Sequence, residues 1–141
     1  MAMRLVGGAP LALIRQGPVT AGVAIQAGDV LAITGNVLIR ATATSTIHTV
    51  VGVAAETITT AAALISYIPF VDGQEWDCDT ASNTSTNQLF EGAILSTTAL
   101  IDNTSSEVAG PTAIFLPHAV VGTAAERRLL GTFIHLKSTS T

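Results

Sequence analysis

The chain has 141 residues, of which 48% are hydrophobic and only 11% charged, with a net charge of -4 and one cysteine. Soluble proteins average about 25% charged residues, so a lone domain of this composition would present Ser, Thr, Ala and apolar area of the kind that meets a partner. An oligomer or a component of an assembly is expected, whereas the acidic balance excludes a nucleic-acid footprint, because Arg127-Arg128 is the only adjacent basic pair.

Residues 1–17 read as an arm. Gly7-Gly8, Pro10 and Gly17-Pro18 break it, and Leu11 to Ile14 form a short apolar stretch between the breakers. Such a segment gains stability by adding as a strand to a neighbour's sheet edge or by serving as the first strand of its own domain. Residues 18–137 are expected to form a single β-rich domain and residues 138–141 a loose tail. Residues 29–34 and 37–42 are β-branched runs joined by Gly35-Asn36, a two-residue loop suited to a tight primed turn, and predict a hairpin. After a polar turn over 43–46 comes the segment 48–56, whose paired valines suit a strand and whose Gly52 marks a bulge or a close backbone approach. The Thr/Ala-rich stretch 57–63 reads as strand.

Residues 64–71 and 74–79 flank Asp72-Gly73, a second hairpin signal. In its second arm Glu75, Asp77 and Asp79 alternate with Trp76 and Cys78, which puts the acids on a wet face and the Trp on a core or interface face. Residues 80–88 lack apolar periodicity and predict an exposed loop. Strand character resumes over 89–100, and 102–106 form a polar turn. Residues 112–121 make a buried-type strand in which Pro117 demands an edge or a bulge. The uncharged run 108–125 contains Gly110, Pro111, Pro117 and Gly122, which excludes a membrane-spanning helix. Thr123-Ala124-Ala125-Glu126 spells a capping box with Gly131 as a stop, so one short helix is expected over 124–130 and a last strand over 130–137.

The segment His48 to Glu56 returns as His118 to Glu126, with Ala119 in place of Thr49 and Thr123 in place of Val53. Similar runs precede both copies, Gly28-Asp29-Val30-Leu31 and Gly92-Ala93-Ile94-Leu95. Two related β units closed on each other would produce this pattern. The expected class is all-β, or β-rich with one short helix, in a compact barrel or tulip-like domain with an extended N-terminal arm.

No nucleophile elbow, phosphate loop, dinucleotide fingerprint or Cys-x-x-Cys pair is present, and no catalytic residue, metal or cofactor is assigned. His48 with Glu56 and His118 with Glu126 invite a metal reading, but eight strand positions span roughly 26 Å. The acids Asp72, Glu75, Asp77 and Asp79 miss the calcium-loop spacing and lie on an open face without the cleft a hydrolase needs. His135, on the last strand, is expected at the surface. Asn83 and Asn103 fit the glycosylation formula by chance in a Thr/Ser-rich chain. A single thiol, Cys78, permits no internal disulfide.

The arm, the run Ala27-Gly28-Asp29-Val30-Leu31 with its hairpin, Val50-Val51-Gly52-Val53-Ala54-Ala55-Glu56 leading into a Thr/Ala-rich strand, the hairpin from Phe70 to Trp76, and the basic pair before Gly131-Thr132-Phe133-Ile134 together resemble the head decoration, or cement, proteins of tailed bacteriophages. The resemblance implies a compact β fold and a virion structural protein without enzymatic activity. Such a protein is made in the host cytoplasm and bound outside the assembled capsid. It implies a homotrimer at local three-fold sites and the major capsid protein as partner, with no nucleic acid or membrane involved. On this reading Arg4, Leu5, Leu11, Leu13, Ile14 and Arg15 of the arm contact the capsid, and Trp76, Arg127 and Arg128 lie between subunits. The competing readings are a trimeric tail, fibre or lectin-like glycan-binding module and, behind it, a small hydrolase.

Overall fold

Short aliphatic and β-branched runs, each cut off within six residues by Gly, Pro, Asn or a Thr/Ser cluster, leave little room for helix. The structure, a computed structural model, describes residues 3–7, 14–20, 22–60, 62–104 and 110–135. Its strands are β1 (Met3–Gly7), β2 (Arg15–Pro18), β3 (Val30–Thr34), β4 (Val37–Arg40), β5 (Val50–Ala54), β6 (Leu64–Pro69), β7 (Glu75–Asp79), β8 (Ile94–Thr97), β9 (Leu100–Asp102), β10 (Phe115–Val120) and β11 (Arg128–Phe133). The only helical pieces among the described residues are single 3₁₀ turns at Thr86–Gln88 and Ala124–Glu126. The chain is therefore nearly all β, as its composition implies.

The strands form a four-stranded sheet in the order β1-β7-β11-β10, a five-stranded sheet in the order β2-β6-β5-β3-β4, and a small β8-β9 hairpin; every pair within them is antiparallel. The five-stranded sheet is apolar on both faces. Val30, Ala32, Val50 and Val53 face the main core together with Met3, Trp76, Phe115, Leu129 and Phe133 of the four-stranded sheet. Leu31, Leu38, Ala54 and Ile65 point the other way into a second core closed by Val19, Ile25 and Ile58. The sheet can enclose that second core because it rolls: a parallel bridge joins Val19, just past β2, to Leu38 of β4, at the opposite edge. One bridge is not a ladder, so the sheets are not the closed barrel expected from sequence.

Local turn chemistry is obeyed. Gly35 takes φ 56° while Asn36 stays negative, the pattern of a II′ turn between β3 and β4. Pro117 lies on the edge strand β10 at a register shift against β11, as its missing N–H requires. Asp72-Gly73 is also a turn, with Gly73 at φ 89°, yet it does not make a hairpin. The Gln74 side chain accepts from Val71 N–H at 3.0 Å and donates to the Pro69 carbonyl at 3.1 Å. The corner is thus satisfied by one side chain, and the chain leaves the five-stranded sheet at β6 and enters the four-stranded sheet at β7.

Further expectations are changed or refined. Residues 57–60 and 62–63, expected to be strand, form none; Ile58 makes one isolated bridge with Ile25. The loop expected over 80–88 is present, and it is pinned, because the buried Asn103 amide donates to the carbonyls of Ser82 and Asn83 and accepts from Ser82 N–H. The helix expected over 124–130 stops after one turn: Thr123 makes no side-chain cap, and Arg127 turns left-handed at φ 56° to start β11. The two copies of the nine-residue repeat also differ in backbone. Gly52 is a mid-strand residue of β5, whereas Gly122 sits at φ 68° in the turn after β10, so the likeness is not a structural duplication. The expected arm is in its first part a strand of the domain itself, since Met3 is fully buried in the main core and β1 pairs with β7.

Gly131 shows why glycine is required inside a strand. A Cβ there would strike the Leu116 carbonyl and the Phe115 ring, while one at Gly7 would meet only Glu75 at 3.9 Å. Gly131→Ala is expected to lower unfolding free energy by about 1–3 kcal/mol through overpacking, and Gly7→Ala to leave it within about 0.5 kcal/mol. Urea denaturation of the two variants beside the parent checks this.

Candidate functional site

Alternation along β7 turns Trp76 and Cys78 inward and Glu75, Asp77 and Asp79 outward, as the pleat dictates. The outward face is nevertheless not wet at its centre. Arg4, opposite Asp77 on β1, donates to Asp77 at 3.1 Å and to Asp79 at 2.9 Å. Arg128 on β11 donates Nε to both Asp77 oxygens at 3.1 and 3.2 Å, with a further contact from Nη2 to Oδ2. The Asp77 side chain is left only 5% exposed. Burial by itself would raise its pKa, but the bonds from Arg128 and Arg4 outweigh that and hold the carboxyl below its usual range. A general acid needs the opposite shift, so this face is built to hold charge fixed rather than to move protons.

Trp76, expected between subunits, is enclosed in the chain's own core, where its ring meets Phe70 and Phe133 edge-on and its Nε1 donates to Gln74 Oε1 at 3.3 Å. Arg128 is engaged by Asp77. Arg127 remains at the surface, donating to Asn83 Oδ1 and the Ala81 carbonyl. Of the arm residues, Arg4 belongs to the ionic cluster and Leu5 packs on the main core. Ile14 and Arg15 are exposed at the start of β2, and Leu11 and Leu13 lie outside the described residues. Cys78 is fully buried, and burial pushes its thiol well above the ordinary value, which makes it inert.

His135, assigned to the surface from its position, folds over Phe70 with ring centroids 5.7 Å apart and a side chain only 6% exposed. Its Nε2 lies 3.8 Å from the fully exposed Asp72 carboxylate. Burial lowers its pKa, and Asp72 only partly opposes this.

Sequence reading missed two features. Phe90 is 71% exposed and takes φ 64°. It is the one exposed aromatic, because Phe70, Trp76, Phe115 and Phe133 are buried and Tyr67 packs on the second core. A left-handed backbone at a bulky residue costs on the order of 1–3 kcal/mol. The conformation is fixed by Phe90 N–H donating to the Pro117 carbonyl at 2.8 Å and by Ala93 bridging Phe115, which together cover the open edge of β10. The second feature is an open groove of about 500 Å³ between β4 and the β8-β9 turn, walled by Val23, Ile39, Ala41 and Ala43 and bordered by Arg40 and Thr97. In sequence Phe90 is one more apolar residue in an apolar run, and only the neighbouring Glu91-Gly92 signalled a break there.

Among the described residues no three His, Cys, Asp or Glu side chains gather as a metal site, and the two His/Glu pairs of the repeat are not brought together. No known protein family matches the chain, and no curated protein shows significant similarity to it.

Two of the shifted groups, His135 and Asp77, act in separate pH windows. His135 has a folded pKa below its unfolded value near 6.5, so its contribution is complete above about pH 6.5 and is lost as pH falls through that range. Asp77 is depressed, so its contribution is present above the unfolded value near 3.9 and disappears on further acidification. His135→Phe should flatten the fall in stability as pH drops below about 6.5, and Asp77→Asn the part below about pH 4, as read from urea midpoints across pH.

Proposed function

We propose that the chain is a virion structural protein of the head-decoration kind, which binds the exterior of an assembled capsid as an oligomer and stabilises the shell. The observation that supports this most directly is a pair of exposed large aliphatic side chains, Ile14 and Leu64, on one face of the β2-β6 pair, with Gln16 and Ser66 between them. Pro18 lies opposite Leu64 in the ladder, and pleating puts Ile14 and Gln16 on the same face. Ile14 is 57% and Leu64 52% exposed, and Arg15 is exposed beside them. A protein with so few charged residues that leaves large aliphatic side chains in water is suited to a broad, shape-complementary contact. Its action would be mass-action linkage: a protein that binds only the assembled shell stabilises that shell by an amount set by affinity and free concentration.

A glycan-binding module is less well supported, because sugar stacking needs a cluster of accessible rings and only Phe90 is accessible. A hydrolase on the β7 acids is disfavoured by the fixed ionic state of Asp77.

The test is cosedimentation with expanded shells assembled from the major capsid protein of the phage that encodes the chain. Wild-type protein should pellet with the shells, and Ile14→Asp/Leu64→Asp should lose at least about tenfold in affinity, roughly 1.4 kcal/mol, while keeping its β circular dichroism. Unchanged binding by that variant would remove the β2-β6 face from the contact. Failure of the wild type to bind would remove the decoration reading itself.

A further inference from the structure

Phe90-Glu91 and the groove beside Arg40 are matched in chemistry, yet neither is matched within the chain. The first is a projecting aromatic ring followed by a carboxylate; Phe90 is 71% exposed, and Glu91 makes no ion pair among the described residues. The second is an open apolar trough, walled by Ile39 and Ala41, with the exposed guanidinium of Arg40 alongside and likewise without an ion pair. A ring seeks an apolar trough and a carboxylate seeks a guanidinium. We propose that the Phe90-Glu91 projection of one copy seats in the Ile39-Arg40-Ala41 groove of the next copy of the same chain, in a head-to-tail contact.

The backbone at Phe90 supports a role for the projection itself. A left-handed conformation is held against its own cost by two sets of bonds to β10, and its effect is to thrust the ring outward rather than into the core immediately beneath it, where Leu89 packs. Segment 90–98 runs from the projection through β8 to the groove's own border at Thr97. β8 thus links the projection directly to one wall of the groove, whose other wall is β4. Different patches on each side of a contact make it heterologous, and repetition of such a contact closes into a ring when the rotation permits. A second copy is favoured over an unrelated partner because both the apolar and the charged halves of the match are supplied by this chain. The proposal rests on the oligomeric part of the decoration reading and is independent of the β2-β6 face that would meet a shell.

The experiment is light scattering on the full chain, without shells, across roughly a hundredfold dilution. Wild type should exceed the 14.4 kDa monomer mass, with about 43 kDa, three times 14.4 kDa, expected for a three-membered ring. Arg40→Glu and Glu91→Arg should each fall to the monomer mass, and the double variant should regain the wild-type mass. Phe90→Gly, which removes the ring and the backbone strain together, should also be monomeric with a melting temperature no lower than the parent's, which separates loss of contact from loss of fold. A monomeric wild type, a single charge reversal that stays oligomeric, or a folded double variant that stays monomeric would each overturn the contact. Shell cosedimentation of the same variants reports separately on the decoration reading.

Discussion

At Asp77 a carboxylate that would cost several kcal/mol to bury alone lies shut between guanidinium groups from both neighbouring strands, Arg4 on β1 and Arg128 on β11. The four-stranded sheet depends on this triplet. β7 is central in that sheet, its inner side chains Trp76 and Cys78 are the floor of the main core, and its outer side holds β1 and β11 in register through one shared anion. Ion pairs at an exposed surface contribute little; here the anion is buried, so loss of either arginine leaves it under-compensated. The same arrangement holds the Asp77 carboxylate in its charged form, because both of its neighbours in the sheet supply a guanidinium.

The five-stranded sheet meets a different constraint, since both of its faces are apolar. One face docks on the four-stranded sheet and the other must be hidden by the sheet's own curl and by the segments around Val23, Ile25 and Ile58. Gly17 and Gly52 serve that curl. A Cβ at Gly17 would collide with Leu38 across the roll, and one at Gly52 with the Ile68 carbonyl on the adjacent strand. Among the described residues large apolar side chains are mostly enclosed, which gives meaning to the few that are not: Ile14, Leu64, Val6 and Phe90.

What was legible in the sequence was local. Gly35-Asn36 dictates its own hairpin, Pro117 its own edge, and the alternation of Glu75 to Asp79 its own two faces, because each depends on residues within a few positions. What was not legible was which strand lies beside which. Asp72-Gly73 fixes a turn but not a ladder, and the outcome was decided by the Gln74 amide and by competition for β7 from strands far along the chain. The expected wetness of Asp77 failed for the same reason, since Arg4 and Arg128 are distant in sequence and adjacent only in the sheet. Of the candidate site residues, Ile14 and Arg15 stand exposed; Trp76 and Arg128 are used internally, and Phe90 was hidden by a conformation that no periodicity reports.

The placement of β7 also orders events in time. Its partners come from opposite directions along the chain, one joined at Arg4, 73 residues before Asp77, and the other at Arg128, 51 residues after it. During synthesis Arg4 is already present, but the nascent chain holds Trp76, Cys78 and Asp77 without the second arginine and the final neighbouring strand until β11 has left the ribosome. The rolled five-stranded sheet, whose strands all precede β7, is free to form first and offers its outer apolar face as a template. Closure of the main core is then a late step limited by long-range pairing, the kind that makes all-β domains fold slowly.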